Sequence, residues 1–285
     1  MQKSILMCVA LFFFAIGSIA AQQITVPQPS PAASLTQKVG LTDITVNYSR
    51  PSSKGRKVFG DLVAFNTLWR TGANGATKFK FSTPVIIDGK KVEAGEYALL
   101  SIPSENEWTM ILSKNANTGT ADYKESDDAL RFKVKPMKTN DMVQTFTISL
   151  GNLTNTSTDV EISWENTKAI FKIDSEIDAT IMKQIDDFAK NPNASLANNY
   201  SSAASYYFNN DKDLNKALEW INKAVEINPD AFWLIRTKSL IQAKMKNYKE
   251  AIKTAELSLV KSTAAKNNDY IKMNTESIKE WSGMK

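Results

Sequence analysis

Residues 160–188 read VEISWENTKAIFKIDSEIDATIMKQIDDF and contain the change of side-chain pattern that decides the fold. As far as Ile173, apolar residues alternate with polar ones, which predicts a β-strand with one buried face. From Ile177 onward, apolar residues recur at every third or fourth position, which predicts an amphipathic helix. The sequence therefore predicts a β domain that ends near Ile173 and a helical domain that follows it.

Short alternating segments fill the chain before this change. Four of them are Ile44–Tyr48, Phe79–Phe81, Phe132–Val134 and Phe146–Leu150. Asp88-Gly89 lies between two further apolar segments, and this residue pair is a strong signal for a tight β-hairpin. Many short strands without intervening helices predict an antiparallel β-sandwich or jelly roll, which we assign to residues 34–173.

Residues 174–285 carry an internal repeat with a period of 34 residues. The first unit places apolar and small residues at Leu214, Ala217, Ile221 and Ala224, and the second places them at Tyr248, Ala251, Ala255 and Ser258. This period predicts two tetratricopeptide-like units, of which the second departs from the pattern at Ser258. Asn228-Pro229 closes the first unit, and Asn268–Trp281 is expected to be a capping helix. A protein partner is a candidate for this domain, although two units are few for a peptide groove.

The N-terminus has the pattern of a secretory signal. Lys3 precedes an apolar segment, Ile5–Ile19, and two alanines follow it, which predicts a signal peptide over residues 1–21. Residues 22–33 contain three prolines and are expected to be a flexible leader. No later segment is apolar enough to span a membrane, so we expect an exported protein that is periplasmic or secreted.

The residue composition excludes several kinds of site. The 285-residue sequence has no His, and its single Cys lies within the predicted signal peptide. Catalytic sites that need His or Cys, and the usual zinc sites, are therefore excluded from the mature chain. The formal net charge is +5, and the sequence has neither a phosphate-binding loop nor an arginine-rich nucleic-acid motif. We expect no cofactor and no nucleic-acid partner.

The stretch Tyr48–Ile102 concentrates the candidate binding residues. Four cations lie in two of its segments, at Arg50, Lys54, Arg56 and Arg70. Guanidinium groups match planar oxyanions, so these residues predict a pocket for a carboxylate, phosphate or sulfate. The alternative is structural: Arg50 and Arg70 would bond loop carbonyls and tie strand ends together. Within this structural alternative, Arg50 and Arg70 could instead form ion pairs with Asp61 and Glu96.

The turn that follows Arg70, over residues 71–77, is the predicted ligand-facing loop. Trp69 is a candidate for stacking on a sugar ring, and packing in the core is the alternative. Asn74 follows in a polar, glycine-containing turn of the kind that carries function on a rigid scaffold. The ligand is expected to be an anionic small molecule or a glycan. The candidate ligand-binding residues are Arg50, Lys54, Arg56, Trp69, Arg70 and Asn74.

Carboxylates provide two further hypotheses. The segment Asp122–Asp128 holds an acidic cluster whose oxygens could bind calcium, but its spacing does not fit a helix-loop-helix calcium loop, so we favour an ordinary solvated loop and expect no metal site. Glu93, Glu96 and Glu107 are candidates for a carboxylate-dependent hydrolase, which would need two carboxylates that face each other. We favour a binding or structural module over this hydrolase, and the catalytic residues of the latter stay unassigned.

A series of motifs occurs in order along the β domain. They are Tyr48-Ser49-Arg50-Pro51, Lys54-Gly55-Arg56, Phe59-Gly60, Leu62-Val63, Trp69-Arg70-Thr71-Gly72-Ala73-Asn74, Ala76-Thr77, Gly95-Glu96-Tyr97, Ile102-Pro103, Glu107-Trp108, Leu130-Arg131 and Trp164-Glu165. In these motifs, residues 29–173 resemble the bacterial family known as domain of unknown function 2911. The resemblance implies an exported protein of Bacteroidetes-type bacteria with a tetratricopeptide tail, and it implies no activity.

The chain departs from the family pattern at three places. Ala64-Phe65 stands where the family usually has Pro-Tyr, and an aromatic residue usual near Thr118–Thr120 is missing. Gly75 stands where the family usually has an acidic residue. If that carboxylate were the catalytic group of the family, this chain would lack it. The departures favour binding or scaffolding over catalysis.

Overall fold

The computed structural model describes residues 26–191 and 196–284. The chain divides into two compact units, Met1–Glu176 and Ile177–Lys285. The described part of the first unit contains two antiparallel sheets, and that of the second contains six helices. This architecture confirms the predicted fold class. The predicted signal peptide and the first residues of the leader lie outside the described residues.

The β unit pairs a six-stranded sheet with a four-stranded sheet. Its strands are β1 (Ala32–Val39), β2 (Thr42–Ser49), β3 (Thr77–Phe81), β4 (Val85–Ile87), β5 (Lys90–Val92), β6 (Gly95–Ile102), β7 (Trp108–Ser113), β8 (Asp128–Val134), β9 (Met137–Gly151) and β10 (Ser157–Ser175). The strand order is β1-β2-β3-β6-β7-β8 in the larger sheet and β5-β4-β10-β9 in the smaller one. All neighbouring strands are antiparallel, and a 3-10 helix at Glu125–Asp127 precedes β8.

The predicted alternation positions the core face of each strand. In β2, Ile44, Val46 and Tyr48 are buried, whereas Asn47 between them is exposed. The predicted hairpin connects β4 and β5 through Asp88-Gly89, whose φ angles are 52° and 70°. Left-handed backbone at both central residues is the requirement of the turn that matches strand twist, and Asp-Gly meets it at low cost.

Aromatic side chains form the centre of the β core. Phe59, Trp69, Trp108, Phe146 and Trp164 are all buried and belong to one hydrophobic cluster. The Trp69 and Trp164 rings stack with centroids 6.1 Å apart and planes 20° apart, while Phe146 meets Trp69 edge-on at 5.4 Å. Such pairs add to the stabilisation that burial of the rings provides. The loop that carries Phe59 and Trp69 is therefore packed into the sandwich.

The helical unit confirms the tetratricopeptide-like repeat. Its helices are α1 (Asp178–Lys190), α2 (Ala197–Asn209), α3 (Leu214–Ile227), α4 (Phe232–Lys244), α5 (Tyr248–Ala264) and α6 (Asn268–Ser282). Helices α3 and α5 begin at Leu214 and Tyr248, one repeat period apart. The small residues Ala217 and Ala251 are fully buried, which permits close helix packing. No helix among the described residues combines the length and apolar character needed to cross a membrane.

Candidate functional site

The predicted ligand-facing turn is anchored at both ends. The backbone of Trp69 exchanges two hydrogen bonds with Ser101, at 2.7 and 2.8 Å. The Thr77 nitrogen donates to the Arg70 carbonyl at 3.1 Å, and the Thr77 hydroxyl donates to the Thr71 carbonyl at 2.5 Å. The Thr71 and Ser101 hydroxyls lie 2.9 Å apart in the buried interior. These bonds tie both ends of the turn to neighbouring backbone.

Trp69 is a core residue. The residue is 9 % exposed, and its indole nitrogen donates to the Gly72 carbonyl at 3.0 Å. Its ring is enclosed by the aromatic cluster described above, including Phe59 at 5.9 Å and Trp108 at 6.2 Å. The packing leaves no free ring face for a sugar, which corrects the stacking hypothesis in favour of its alternative.

The structure brings Arg70 and Asn74 together. The Arg70 guanidinium donates to the Asn74 carbonyl, and the Asn74 amide donates to the Ser49 hydroxyl and the Ser30 carbonyl, each at 3.2 Å. Asn74 is exposed, and the adjacent Gly75 lines a shallow groove of about 410 Å³ along β1 to β3. This turn reaches solvent, so its role in binding stays a prediction.

The guanidinium groups of Arg50 and Arg56 donate hydrogen bonds to groups outside the turn that contains Arg70 and Asn74. Arg50 donates to the Phe146 carbonyl at 3.1 Å and to the Thr147 hydroxyl at 2.8 Å, which ties the end of β2 to β9. Arg56 donates to the carbonyls of Ser53 and Ser52 at 2.9 and 3.0 Å. Both arginines therefore bond backbone carbonyls, although the structural alternative had named Arg50 and Arg70 and not Arg56.

The other predicted partners and the fourth cation do not join these arginines. Glu96 pairs with Lys78 at 3.6 Å, and no ion pair joins Asp61 to an arginine within the described ranges. Lys54 is exposed at a turn where its φ is 50°. The three guanidinium groups thus stabilise three separate stretches of backbone, and an oxyanion pocket formed by all four cations has no support in the geometry.

The acidic cluster forms an internal clamp. The Asp128 carboxylate accepts hydrogen bonds from the Tyr123 hydroxyl at 2.7 Å and from Arg131 at 3.1 Å, and Glu125 lies 3.4 Å from Arg131. Burial, the hydrogen bond to Asp128 and the charge of that carboxylate raise the pKa of Tyr123 from 10.0 to about 12. No carboxylate cluster suited to a metal occurs in the described part of the chain, which corrects the calcium hypothesis.

The carboxylates proposed for hydrolysis are engaged in separate ion pairs. Glu93 pairs with Lys91 at 3.0 Å and Glu107 pairs with Lys133 at 2.9 Å. Glu96 pairs with Lys78, as described above. Exposed ion pairs of this kind are ordinary features of a strand surface. They provide no facing pair of carboxylates for a glycosidase-like reaction.

A pocket of about 260 Å³ was missed by the sequence analysis. It combines exposed charged residues with three aromatic residues, of which Phe65 is half-buried while Phe59 and Trp108 are buried. Its lining consists of Lys57, Phe59, Phe65, Ser104, Glu105, Trp108, Pro136, Met137, Lys138 and Thr167. These residues come from four separate stretches of sequence, so no local motif could have predicted the pocket. Phe59, Phe65 and Trp108 had been noted, but only in the comparison with the family pattern.

The rim of this pocket has an excess of positive charge. Lys57 and Lys138 are both exposed, and neither forms an ion pair with another described residue. The Lys138 ammonium donates to the Thr167 hydroxyl at 3.3 Å. Glu105 is the one carboxylate in the lining. Two ammonium groups beside an apolar wall favour a ligand that has an anionic group and an apolar face.

Glu165 fixes the position of the segment that contributes Lys57 and Phe59 to the pocket. It lies between two register shifts in the pairing of β9 with β10, and its φ is 53°. Its carboxylate accepts a hydrogen bond from the Val58 nitrogen at 3.3 Å. Such bulges commonly redirect side chains beside functional sites. Glu165 therefore holds the backbone between Lys57 and Phe59 in position.

Comparisons with known proteins identify the β unit. The family model described as "Protein of unknown function (DUF2911)" matches residues 30–173. No curated protein matches the chain. Among solved structures, the chain is similar to the "TPR2B-domain:pHsp70-complex of yeast Sti1", with 20 % sequence identity and a TM-score of 0.33. That similarity covers 37 % of this chain and 82 % of the other.

Proposed function

The chain belongs to the family described as "Protein of unknown function (DUF2911)", and we propose that its β unit is a binding module for a small anionic ligand. The family description specifies no activity, so the support comes from the geometry. The observation that carries the proposal is the position of Lys57 and Lys138 in one pocket with the half-buried ring of Phe65.

The chemistry of the pocket defines the class of ligand. The two ammonium groups favour a carboxylate or phosphate, and the half-buried ring of Phe65 favours a ring or another apolar face. Glu105 and Thr167 can exchange hydrogen bonds with hydroxyl groups. An acidic sugar combines all three features, and its size suits a pocket of about 260 Å³.

The proposal includes export and a role for the helical unit. Export is supported by Lys3 and the apolar segment Ile5–Ile19, which have the order of charge and apolar residues found in secretory signals. Cell fractionation, with N-terminal sequencing of the mature protein, tests it. A protein partner for the helical unit is supported by its repeat architecture, because stacked helix pairs present extended contact surfaces.

Isothermal titration with glucuronate, and with glucose as the neutral counterpart, tests the ligand class. We expect glucuronate to bind and glucose to bind much more weakly. The double variant Lys57→Gln/Lys138→Gln should weaken glucuronate binding by at least about tenfold, since it removes two charged hydrogen-bond donors. Lys90→Gln is the matched control, because Lys90 is an exposed lysine of β5 that does not line the pocket.

Two results would refute this proposal. One is a double variant that binds glucuronate as tightly as the wild-type protein does. The other is the absence of binding by glucuronate and by sugar phosphates alike, with the wild-type protein shown to be folded by circular dichroism. A loss of binding that is equally large in Lys90→Gln would also contradict the pocket, since it would reflect only the net charge.

A further inference from the structure

The two sheets of the β unit have four edge strands, and three of them are visibly protected. They are β1 and β8 in the larger sheet and β5 and β9 in the smaller one. An edge strand presents unpaired backbone donors and acceptors, so it can pair with another chain. Proteins usually prevent such pairing by covering the edge, shortening it or placing charges on it.

The edge of β9 is covered by the segment that follows β2. The Ser53 nitrogen donates to the Gln144 carbonyl at 2.8 Å, and the Phe146 nitrogen donates to the Pro51 carbonyl at 2.9 Å. Tyr48 also bonds the backbone of β9 through its hydroxyl. Pairing of this edge with another chain would require these bonds to break.

The edges of β5 and β8 are protected by length and by charge. β5 has three residues, and two of them, Lys90 and Lys91, are lysines. β8 has three charged residues among seven, namely Asp128, Arg131 and Lys133. Its pairing with β7 is also irregular, with a register shift next to Ser113. These are the usual devices that disfavour pairing between edges.

The edge of β1 has much less of this protection. Its eight residues pair with β2 without a register shift, from Ala32 opposite Ser49 to Val39 opposite Thr42. It contains no proline, and it has one charged residue among eight, Lys38, which pairs with Asp43 at 2.7 Å. By contrast, two of the three residues of β5 and three of the seven residues of β8 are charged. Among the described residues, no further strand pairs with β1. β1 is therefore the long, regular and nearly uncharged edge of the unit.

We propose that β1 pairs with β1 of a second copy of this chain, antiparallel about a two-fold axis at Leu35. Backbone groups that point outward recur at every second residue, so directly opposite residues must have numbers of the same parity. The pairing centred on Leu35 places Ser34 opposite Thr36 and Lys38 opposite Ala32. No like charges then face each other, and the half-buried Leu35 meets its own copy on the core side.

This arrangement joins two six-stranded sheets into one sheet of twelve strands. The contact involves a single strand from each copy, so its area is below that of a standard stable interface. The dimer is therefore weak and concentration-dependent. Sedimentation velocity over a series of micromolar protein concentrations should show a reversible monomer–dimer equilibrium.

Charge changes at the two facing positions test the register. Ser34 and Thr36 are exposed on the outer face of β1, so charges are tolerated there in the monomer. Ser34→Lys/Thr36→Lys places like charges directly opposite each other and should weaken the dimer by about tenfold. Ser34→Lys/Thr36→Glu places opposite charges there and should restore association. A register shifted by two residues would not allow that recovery, because Ser34 would then face Lys38.

Hydrogen exchange of the wild-type protein supplies a test that needs no variant. The β1 amides should exchange more slowly as protein concentration rises, while the β8 amides should not change. A wild-type protein that stays monomeric at every concentration overturns the proposal, and it leaves the β1 edge to a strand from a different protein. The proposal is also overturned if the Ser34→Lys/Thr36→Lys variant dimerises as tightly as the wild-type protein does.

Discussion

The Tyr48 hydroxyl bonds both backbone groups of Ile148, lying 3.1 Å from its nitrogen and 3.2 Å from its carbonyl oxygen. Tyr48 belongs to β2 of the larger sheet, and Ile148 belongs to β9, an edge strand of the smaller sheet. One phenol thus satisfies a donor and an acceptor that would otherwise be buried without partners. It acts beside Arg50, which bonds the Phe146 carbonyl on the same strand.

We expect Tyr48→Phe to destabilise the β unit by about 1–3 kcal/mol, because two buried backbone groups of Ile148 lose their partner. Chemical denaturation, followed by tryptophan fluorescence, measures this loss. Tyr97→Phe is the matched control, since the Tyr97 hydroxyl makes one partly buried bond, to the Glu93 carbonyl at 2.9 Å. Equal losses in the two variants would contradict a special role for the Tyr48 hydroxyl.

The turn between Trp69 and Thr77 contains two glycines with opposite expectations. A Cβ atom at Gly72 would lie 3.1 Å from the Thr77 hydroxyl and 3.3 Å from the Ser49 carbonyl, at a φ of 155°. Gly72→Ala should therefore cost about 1–3 kcal/mol of stability. A Cβ at Gly75 meets nothing within 4 Å, so Gly75→Ala should change stability by less than about 0.5 kcal/mol.

Thermal unfolding of the two alanine variants measures this difference directly. The comparison also tests whether the turn is rigid for structural reasons. If Gly72→Ala were as stable as Gly75→Ala, the close approach of Gly72 to its neighbours would have no energetic weight. Binding of glucuronate should survive both changes, because neither glycine lines the proposed pocket.

The sequence predicted the architecture because side-chain periodicity is a local property. The alternation through Ile44, Val46 and Tyr48 depends only on which face of one strand is buried, and the structure has that face inward. The start of α5 at Tyr248, one period after Leu214, likewise follows from a repeat visible in the chain itself. Neither prediction required knowledge of which elements contact one another.

The candidate site was harder to predict because hydrogen-bond partners are non-local. Arg50 was noted as a possible ligand-binding cation, but its partner Thr147 lies 97 residues away in β9. The buried state of Trp69, which lies in a loop, depends on Trp164 in β10. The pocket beside Lys57 needs Lys138 from the start of β9 as well. The residue types identified candidate cations and aromatic rings. Only the folded structure shows which of them are exposed at the same site.

The raised pKa of Tyr123 predicts a change of stability at high pH. A tyrosine whose pKa is higher in the folded state than in the unfolded state stabilises the fold at pH values below its unfolded pKa. For Tyr123 the unfolded pKa is 10.0, and the stabilisation is lost as the pH rises through the folded pKa of about 12. We therefore expect the wild-type protein to lose stability over that range. Tyr123→Phe should show a shallower loss, since it has no proton to release there.

Denaturation at several pH values between 9 and 12, as well as absorbance titration of the tyrosines, checks this expectation. Tyr123→Phe also removes the bond to Asp128 at 2.7 Å, so it should be less stable than the wild-type protein at neutral pH. Parallel curves for the two proteins at high pH would contradict the assignment of the titrating group to Tyr123.

Ser258 departs from the repeat pattern for a reason that its contacts explain. It lies on α5, where it is fully buried, and its hydroxyl donates to the Phe232 carbonyl of α4 at 2.8 Å. The same hydroxyl accepts a hydrogen bond from the buried Asn274 amide of α6 at 2.9 Å. Asn274 in turn accepts from Arg236 at 3.1 Å, so one network connects three helices.

Ser258→Ala should destabilise the helical unit by about 1–3 kcal/mol, because the buried Asn274 amide and the Phe232 carbonyl both lose a partner. Ser262→Ala is the matched control: Ser262 is also buried on α5, but its hydroxyl bonds only the Leu259 carbonyl of the same helix, at 3.0 Å. That local bond adds little, and alanine has the better helix propensity. Far-UV circular dichroism during thermal unfolding should therefore show a lower midpoint for Ser258→Ala than for Ser262→Ala. Equal midpoints would mean that the network does not couple the three helices.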